Sequence, residues 1–267
     1  LKTQHCCITT DDMRQVINKG ELSLKTRLAS RNGKVYRLFD KIIMCGEYVQ
    51  KQFVQVYGNS PKYEMVYFGV EPVAILDAEK QNLLRSQLNI QPHTKVICSV
   101  LFADPVKAPD VLIKALPYIK YENFIVLLVG INDEIPYAQE LHKLAKELNV
   151  DEKIRWIGIT DHVNHYLSIS DVYCQPSRSE ALGLAVCEAK STHLPVVGSN
   201  VGGLPEVSDC VFESENEYDL AQHLDELLSN DELRCRLSEQ SYWTYTKYFD
   251  IKIGVEKYVK LYRGLVK

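Results

Sequence analysis

The sequence lacks the cysteine patterns of a disulfide scaffold or a zinc site. Its 267 residues include eight cysteines, but no two of them form a C-x-x-C pair, and most lie inside apolar runs such as VICSV and DVYCQP. Cysteines of this kind are typical of reduced, buried side chains in a cytoplasmic protein. We also predict no metal site, because His162 and His165 have no acidic or cysteine partner at ligand spacing.

Long apolar runs and a strong excess of one charge are also missing. No apolar segment is long enough to span a membrane, and none resembles a signal peptide. The formal net charge is −4, and the 46% of hydrophobic residues suffices for one or two globular domains, for which we predict no nucleic-acid partner. Basic residues exceed acidic ones in residues 19–41. This segment could contact an anionic lipid surface at the inner face of a membrane, or it could be a solvated face.

From about His93 onward, strand-like and helix-like segments alternate with short connections. The predicted strands are KVICSVLF (95–102), FIVLLVG (124–130), KIRWIG (153–158), DVYCQP (171–176) and LPVVGSN (194–200). The predicted helices between them cover residues 109–119, 136–150, a short piece near 162–170, and 182–192. Continuous apolar strands separated by amphipathic helices indicate a parallel sheet covered on both faces. In such a doubly wound domain, ligands bind beyond the carboxyl ends of the strands.

The segment SRSEALGLAVCEAK (177–190) follows one of these strand ends and contains two acidic residues, Glu180 and Glu188. A buried helix would need neither, because ionised carboxylates are rarely buried without a partner. The first amides of the predicted helix belong to Ala181, Leu182, Gly183 and Leu184. Free amides at a helix start can bind a phosphate, and a carboxylate beside them can accept hydroxyl groups. This combination fits a nucleotide sugar; the alternative is an ordinary helix start with two solvated acids.

EALGLAVCE (180–188) resembles the E-x7-E motif of the retaining GT-B glycosyltransferases of family 4, whose C-terminal half is the group 1 glycosyltransferase domain. SDVYCQPSRSE, HLPVVGSNVGGLPEV and KAPDVLIKALPYI resemble the donor-site run, the following glycine turn and the first helix of that family. The resemblance covers most of residues 95–265. It implies an α/β fold with two Rossmann-like domains, of which the C-terminal one is a doubly wound parallel sheet that binds the nucleotide sugar.

The resemblance also implies roles for individual residues. Glu180 would contact the donor sugar near its reacting carbon, Glu188 would hold the ribose hydroxyls, and Lys107 would bind the diphosphate. His5, in TQHCC, resembles a strand-end histidine of the acceptor-side domain that lies at the donor sugar, although it could also be an incidental terminal histidine. Glu180, His5 and Lys107 are therefore the candidate catalytic residues. The remaining donor-binding candidates are Gly130, Ala181, Leu182, Gly183 and Leu184. The implied donor substrate is a nucleoside diphosphate sugar, with no cofactor and no metal.

The chain departs from the family pattern at the end of its first predicted strand. The family usually has a Gly-Arg pair where this chain has Leu101 and Phe102, so one cation for the diphosphate is missing. Either Lys107 and the helix start suffice, or another cation such as Arg178 reaches the site, or donor binding is weak. Ala181 and Leu182 also replace a commoner Gly-Phe pair, but their amides remain.

The predicted domain division is uneven. Residues 1–92 are too few for a complete first domain of ~100–200 residues, and they resemble its second half, with strands in 40–46 and 63–72 and a helix in 47–58. Residues 93–245 would form the nucleotide-sugar-binding domain, and 246–267 a C-terminal helix that crosses back to the first domain. We therefore expect a fragment of a longer protein, which could be inactive alone.

The expected activity is that of a retaining, hexosyltransferase-type enzyme. It would move a sugar from a nucleoside diphosphate sugar to a hydroxyl of a glycan, a lipid or a small molecule. Two alternatives stay open: a nucleotide-sugar-binding protein without catalysis, and a GT-B sugar-nucleotide epimerase. Detection of sugar transfer distinguishes a glycosyltransferase from a binding protein without catalysis. An epimerised donor without transfer identifies an epimerase.

Overall fold

The computed structural model describes residues 6–8, by their backbone, and residues 39–265. His5 and most of the basic segment 19–41 lie outside the described residues. Contacts within the chain define two compact units, Leu1–Val70 with Tyr248–Lys267, and Glu71–Lys247. Residues 71–92, which the sequence led us to assign to the first domain, thus belong to the second unit.

The first unit contains a parallel sheet of three strands, β1 (Cys6–Ile8), β2 (Lys41–Met44) and β3 (Tyr63–Met65), in the order β1-β2-β3. Helix α1 (Glu47–Tyr57) follows β2 and buries Val49 and Phe53, which lie four residues apart on one helical face. The predicted strand and helix in 40–58 are confirmed, whereas the last strand ends at Met65, earlier than predicted.

The C-terminal helix Ile251–Leu265 belongs to the same unit. Gly69 approaches it so closely that an added Cβ would lie 2.3 Å from the Ile251 Cα. Next to this contact, the Val70 N–H donates to the Phe249 carbonyl at 2.9 Å, and Val70 pairs with Asp250 in a parallel bridge. A side chain at position 69 would separate the two segments, so this glycine is required for their close approach.

The second unit is a parallel sheet of six strands. They are β4 (Lys95–Val100), β5 (Phe124–Val129), β6 (Ile154–Ile157), β7 (Val172–Gln175), β8 (Val196–Ser199) and β9 (Cys210–Phe212), in the order β6-β5-β4-β7-β8-β9. The central strands β4, β5 and β7 are almost completely buried, which explains their continuous apolar sequences. The predicted strands are confirmed, each one to three residues shorter than the apolar run that indicated it.

Helices cover both faces of this sheet. They are α2 (Ala78–Gln87), α3 (Pro109–Ala115), α4 (Pro136–Glu147), α5 (Val163–Ser168), α6 (Leu184–Ser191), α7 (Leu204–Val207), α8 (Glu217–Ser229) and α9 (Asp231–Thr244). Helix α3 packs against α4 and α8, while α6 packs against α9 and α2 against α5. None of the helices in the described residues contains an apolar stretch of the length that a membrane span requires.

The strand order reverses between β4 and β7. The chain runs from β4 outward through β5 and β6, then returns to place β7 on the other side of β4. The loops that leave the carboxyl ends of β4 and β7 therefore diverge to opposite faces and leave a crevice between them. Ligands of open α/β sheets bind at such a switch point, and Lys107 and Glu180 follow these two strand ends.

Candidate functional site

A cavity of about 510 Å³ lies at the carboxyl ends of β4, β5 and β7 in the second unit. It brings together five of the residues selected from the sequence, which are Lys107, Gly130, Glu180, Gly183 and Leu184. The other three candidates of this unit do not line it; they are Ala181, Leu182 and Glu188. The cavity therefore lies at the sheet edge where the strand pattern placed a ligand site.

Lys107 stands at the end of a 3-10 turn, Pro105–Lys107, that directs it to the cavity. The Asp104 carboxylate begins this turn by accepting the Val106 N–H at 2.7 Å, and Ala108 ends it with a left-handed φ of 53°. Proline at the first position fixes the backbone for the turn. This turn thus positions Lys107, which within the described ranges is the only basic residue that lines the cavity.

Glu180 forms an ion pair with Lys107 that could not be read from the sequence. The Lys107 Nζ donates to Glu180 Oε2 at 2.6 Å, and the two side chains are 24% and 10% exposed. Such a charge-assisted bond is about twice as strong as one between neutral groups. The positive charge of Lys107 is therefore neutralised within the cavity by the carboxylate of Glu180.

The glycine turn after β8 fixes the backbone of Glu180. Gly202 has a φ of 57°, and a Cβ there would lie 1.8 Å from the Glu180 carbonyl oxygen. The neighbouring Gly203 N–H donates to that same oxygen at 3.1 Å. The two glycines therefore permit a backbone contact that larger residues would block, and this contact positions the loop that carries Glu180.

Helix α6 begins at Leu184, two residues later than predicted. Gly183 precedes it with a φ of 90°, a conformation that favours glycine. The amide of Ala181 lies in the preceding turn, where it donates to the Glu180 carboxylate at 3.3 Å. The first helical amides therefore belong to Leu184 and Ala185, which both line the cavity. These amides, not those of Ala181 and Leu182, are the N–H groups of the first helical turn, where an anion can bind.

Glu188 lies half-buried on α6, one turn after the cavity-lining residue Leu184 and on the same helical face. Burial raises the pKa of its carboxyl above the ordinary value of 4.5. A carboxylate in this position gains from hydrogen-bond donors such as hydroxyl groups, which would offset the lost hydration.

The mouth of the cavity is apolar where the family pattern has an arginine. Phe102 is 63% exposed there, together with Ile159 and Leu184 at 67% and 48%. Ile159 belongs to the loop after β6, which also contributes Thr160 and Asp161 to the lining. No motif in the sequence marks these three residues as candidates, although the strand-end rule applies to β6 as it does to β4 and β7.

Arg178 does not line the cavity, so it does not supply the missing cation in this structure. Its guanidinium donates two bonds of 2.8 Å to the two carboxylate oxygens of Asp110, and a third, of 2.6 Å, to the Pro105 carbonyl. A second carboxylate, that of Glu215, contacts the same guanidinium. Arg178 therefore connects the loop after β7 to the beginning of α3.

The other donors to Asp110 complete this polar cluster. Tyr137 donates its hydroxyl to Oδ1 at 2.8 Å, and Lys114 donates to Oδ2 at 3.0 Å. Burial alone would raise the pKa of the Asp110 carboxyl, but the bonds from Arg178, Lys114 and Tyr137 hold it well below its usual range. The carboxylate therefore stays ionised and paired at neutral pH.

Comparisons with known proteins agree with the resemblance noted in the sequence. The sequence model of the family described as glycosyl transferases group 1 matches residues 80–243. An uncharacterized glycosyltransferase of Haemophilus influenzae is 29% identical over 199 residues, which cover 71% of this chain and 54% of that protein. A D-inositol 3-phosphate glycosyltransferase of Corynebacterium aurimucosum is 31% identical over 167 residues, covering 58% of this chain and 40% of that protein.

Solved structures with the same fold include two proteins of low sequence identity to this chain. HepE of Anabaena, in complex with UDP and glucose, has a TM-score of 0.85 at 18% identity, covering 97% of this chain and 71% of that chain. A glycosyltransferase of Rickettsia africae has a TM-score of 0.81 at 22% identity, covering 92% and 68%. These similarities confirm the predicted α/β fold of the GT-B type.

The family match is longer than any single motif. It extends from α2 to the end of α9 and includes both loops that line the cavity, with Lys107 in one and Glu180 in the other. The chain spans about half the length, or less, of the curated relatives that it matches. Because the match nevertheless covers more than half of this chain, the chain belongs to the glycosyl transferases group 1 family.

Proposed function

We propose that this chain belongs to a retaining glycosyltransferase of family 4, which moves a sugar from a nucleoside diphosphate sugar to an acceptor hydroxyl. One observation carries the proposal. Lys107, Glu180 and the first amides of α6 converge on one cavity at the switch point of the sheet. A cation and free amides suit a diphosphate, while a carboxylate suits sugar hydroxyls.

The chemistry follows from the charge that develops during the reaction. As the bond between the sugar and the diphosphate breaks, negative charge grows on the leaving diphosphate. Donors that already point at this group lower the barrier, because they need not reorganise. Lys107 and the amides of Leu184 and Ala185 take this role, and Glu180 orients the sugar and stabilises positive character at its reacting carbon. This chemistry uses the nucleotide sugar as substrate and needs neither a cofactor nor a metal.

We take uridine diphosphate as the first probe of the donor. The structures of Anabaena HepE, a protein that shares the fold of this chain, contain UDP, UDP with glucose, and UDP-glucose. Glu188 would accept the ribose hydroxyls from its place on the same face of α6 as Leu184. Bonds from these hydroxyls would compensate the burial of the carboxylate.

The acceptor side of the proposal rests on the sequence. His5 would lie at the donor sugar, and residues 19–41 would contact an anionic membrane surface from the cytoplasm. The acceptor itself would be a glycan, a lipid or a small molecule with a free hydroxyl.

The test combines donor binding with product analysis. The chain, and any longer natural protein that contains it, is incubated with UDP-glucose, UDP-N-acetylglucosamine, GDP-mannose and ADP-glucose. Thermal unfolding reports binding, since a ligand of the native state raises the midpoint. Mass spectrometry then detects transfer to a panel of acceptors, and NMR reads the anomeric configuration of the product.

We expect one donor to stabilise the chain and its sugar to be transferred with the configuration retained. Stabilisation without transfer favours a binding protein without catalysis, and an epimerised donor without transfer favours the epimerase. Absence of stabilisation by every nucleotide sugar and every nucleoside diphosphate would contradict the proposal.

A further inference from the structure

Arg178 has an unusually complete set of partners for a side chain that is 31% exposed. Two carboxylates face its guanidinium, Asp110 from the beginning of α3 and Glu215 from the loop after β9. The Pro105 carbonyl takes a further bond. A planar guanidinium can donate parallel hydrogen bonds to both oxygens of a carboxylate and further bonds to other acceptors. The single ammonium group of lysine cannot reproduce this geometry.

These bonds join two loops that each carry a residue of the cavity. Arg178 lies two residues before Glu180, and its backbone N–H donates to the Val106 carbonyl at 2.8 Å. Its side chain holds Pro105, the first residue of the turn that ends in Lys107. The turn is therefore attached to the loop after β7 at two consecutive residues, immediately before its lysine.

Asp110 anchors the other end of this connection in the folded core. The residue is only 9% exposed, and its carboxylate accepts from Tyr137 of α4 as well as from Arg178 and Lys114. Because the bonds to both oxygens fix its orientation, Asp110 determines where the Arg178 guanidinium lies. Rigid support of this kind controls the precision of a binding site.

We propose that Arg178 is a positioning residue, which through Asp110 holds the Lys107 turn against the Glu180 loop and so places the lysine for the donor diphosphate. The inference rests on the proposed function, since it assigns Arg178 an effect on diphosphate binding. Arg178 itself does not contact the ligand. Its loss displaces Lys107 and leaves the rest of the cavity in place.

The experiment compares the intact chain with Arg178→Ala, Arg178→Lys and Asp110→Asn. The control is Arg155→Ala, which also removes an arginine that joins two segments, through bonds to the Leu88 and Glu152 carbonyls at 2.6 and 2.8 Å, but does not line the cavity. UDP binding is measured by calorimetry and uridine binding by NMR. If the intact chain binds GDP or ADP more tightly than UDP, that diphosphate and its nucleoside are used in place of UDP and uridine. Thermal unfolding of every variant is recorded.

The positioning role predicts a loss that is specific to the diphosphate. Each of the three site variants should lose on the order of tenfold in UDP affinity, while uridine affinity stays unchanged and Arg155→Ala binds both as the intact chain does. Arg178→Lys should lose as much as Arg178→Ala, because charge without the planar guanidinium does not restore the contacts. A merely structural role would lower the affinities for UDP and uridine together.

Two results overturn the inference in distinguishable ways. If the intact chain binds UDP and the folded Arg178→Lys and Asp110→Asn variants bind it equally well, Arg178 does not position Lys107, and the proposed function stands. If the intact chain binds none of the nucleoside diphosphates, the proposed function fails and this inference fails with it.

Discussion

Replacing Glu180 with glutamine removes the negative charge that neutralises Lys107 in the cavity. Glutamine keeps the length of the side chain and one acceptor oxygen, so the packing of the loop changes little. In this structure the Lys107 Nζ and Glu180 Oε2 atoms are 2.6 Å apart. A diphosphate that binds to Lys107 therefore competes with this carboxylate for the same ammonium group. We predict that Glu180→Gln binds UDP more tightly than the intact chain.

The size of the gain follows from the strength of the displaced bond. A hydrogen bond between charged groups contributes about 1.5–3 kcal/mol, and each 1.4 kcal/mol is roughly a tenfold change in affinity. The Lys107 side chain keeps 24% of its exposure and that of Glu180 10%, so solvent screens part of this attraction. We therefore expect the lower end of the range, an affinity gain of about tenfold.

Titration calorimetry with UDP measures this gain directly. The matched control is Asp161→Asn, which removes a carboxylate from the same cavity wall but leaves the bond between Lys107 and Glu180 in place. Removal of either acid lowers the negative potential of the cavity. Only the Glu180 variant also weakens the bond that holds the lysine, because a neutral amide oxygen replaces the carboxylate, so its gain should exceed that of the control.

The same variant should lose sugar transfer while it gains nucleotide affinity, because Glu180 orients the sugar in the proposed reaction. Equal UDP affinity in Glu180→Gln and the intact chain would show that Lys107 does not leave Glu180 when the nucleotide binds. Weaker binding in the variant would contradict this prediction, since it would mean that the carboxylate helps to hold the nucleotide.

Further predictions concern five other positions. Lys107→Ala should lower UDP affinity by about tenfold or more in the same titration, and Phe102→Arg, at a 63% exposed position, should tighten UDP binding without affecting uridine. Burial raises the pKa of Glu188, so the stability that its protonated form contributes is complete below about pH 4.5 and is lost as the pH rises through the raised value. Glu188→Gln should therefore raise the unfolding temperature relative to the intact chain more at pH 8 than at pH 4, while it weakens UDP binding. Cys235 is exposed, whereas burial raises the pKa of the Cys98 thiol to about 12; peptide mapping after thiol labelling at pH 8 should find the first modified and the second intact until the chain unfolds.

The sheet of the second unit could be predicted because its strands have a strong local pattern. Apolar runs such as VICSV and IVLLV contain no charged residue and only one polar one, the small Ser99, as expected of strands covered on both faces. The ends of the strands were predicted less accurately. Leu101 and Phe102 extend the first apolar run, but the strand ends at Val100 and Phe102 turns to solvent at the cavity mouth.

The start of α6 could not be read from its residues. Ala181 and Leu182 have good helical propensity, so the pattern extends the helix back to about 182. The left-handed backbone of Gly183 interrupts it instead, and Leu182 is buried in the preceding turn at 2% exposure. Contacts of Gly202 and Gly203 with the Glu180 backbone stabilise this turn. Because these residues are distant in the sequence, the local pattern does not predict the contacts.

The charge pairing of the site was also outside the reach of the sequence. The strand-end rule places Lys107 and Glu180 near each other, but it does not predict which side chain each will contact. Arg178 stood as an alternative cation for the donor, yet Asp110, distant in sequence, takes both arms of its guanidinium. Partner choice among charged groups depends on rotamers and loop paths, which a linear pattern does not contain.

A crystal structure of the chain with UDP would show directly whether the cavity binds the nucleotide. We predict that the diphosphate lies in the cavity between the ends of β4 and β7, with its oxygens within hydrogen-bond distance of the Lys107 ammonium group and of the Leu184 and Ala185 amides. Glu180 would then no longer contact Lys107. Nucleotide bound at another surface, or a diphosphate out of reach of Lys107 while its bond to Glu180 persists, would contradict it.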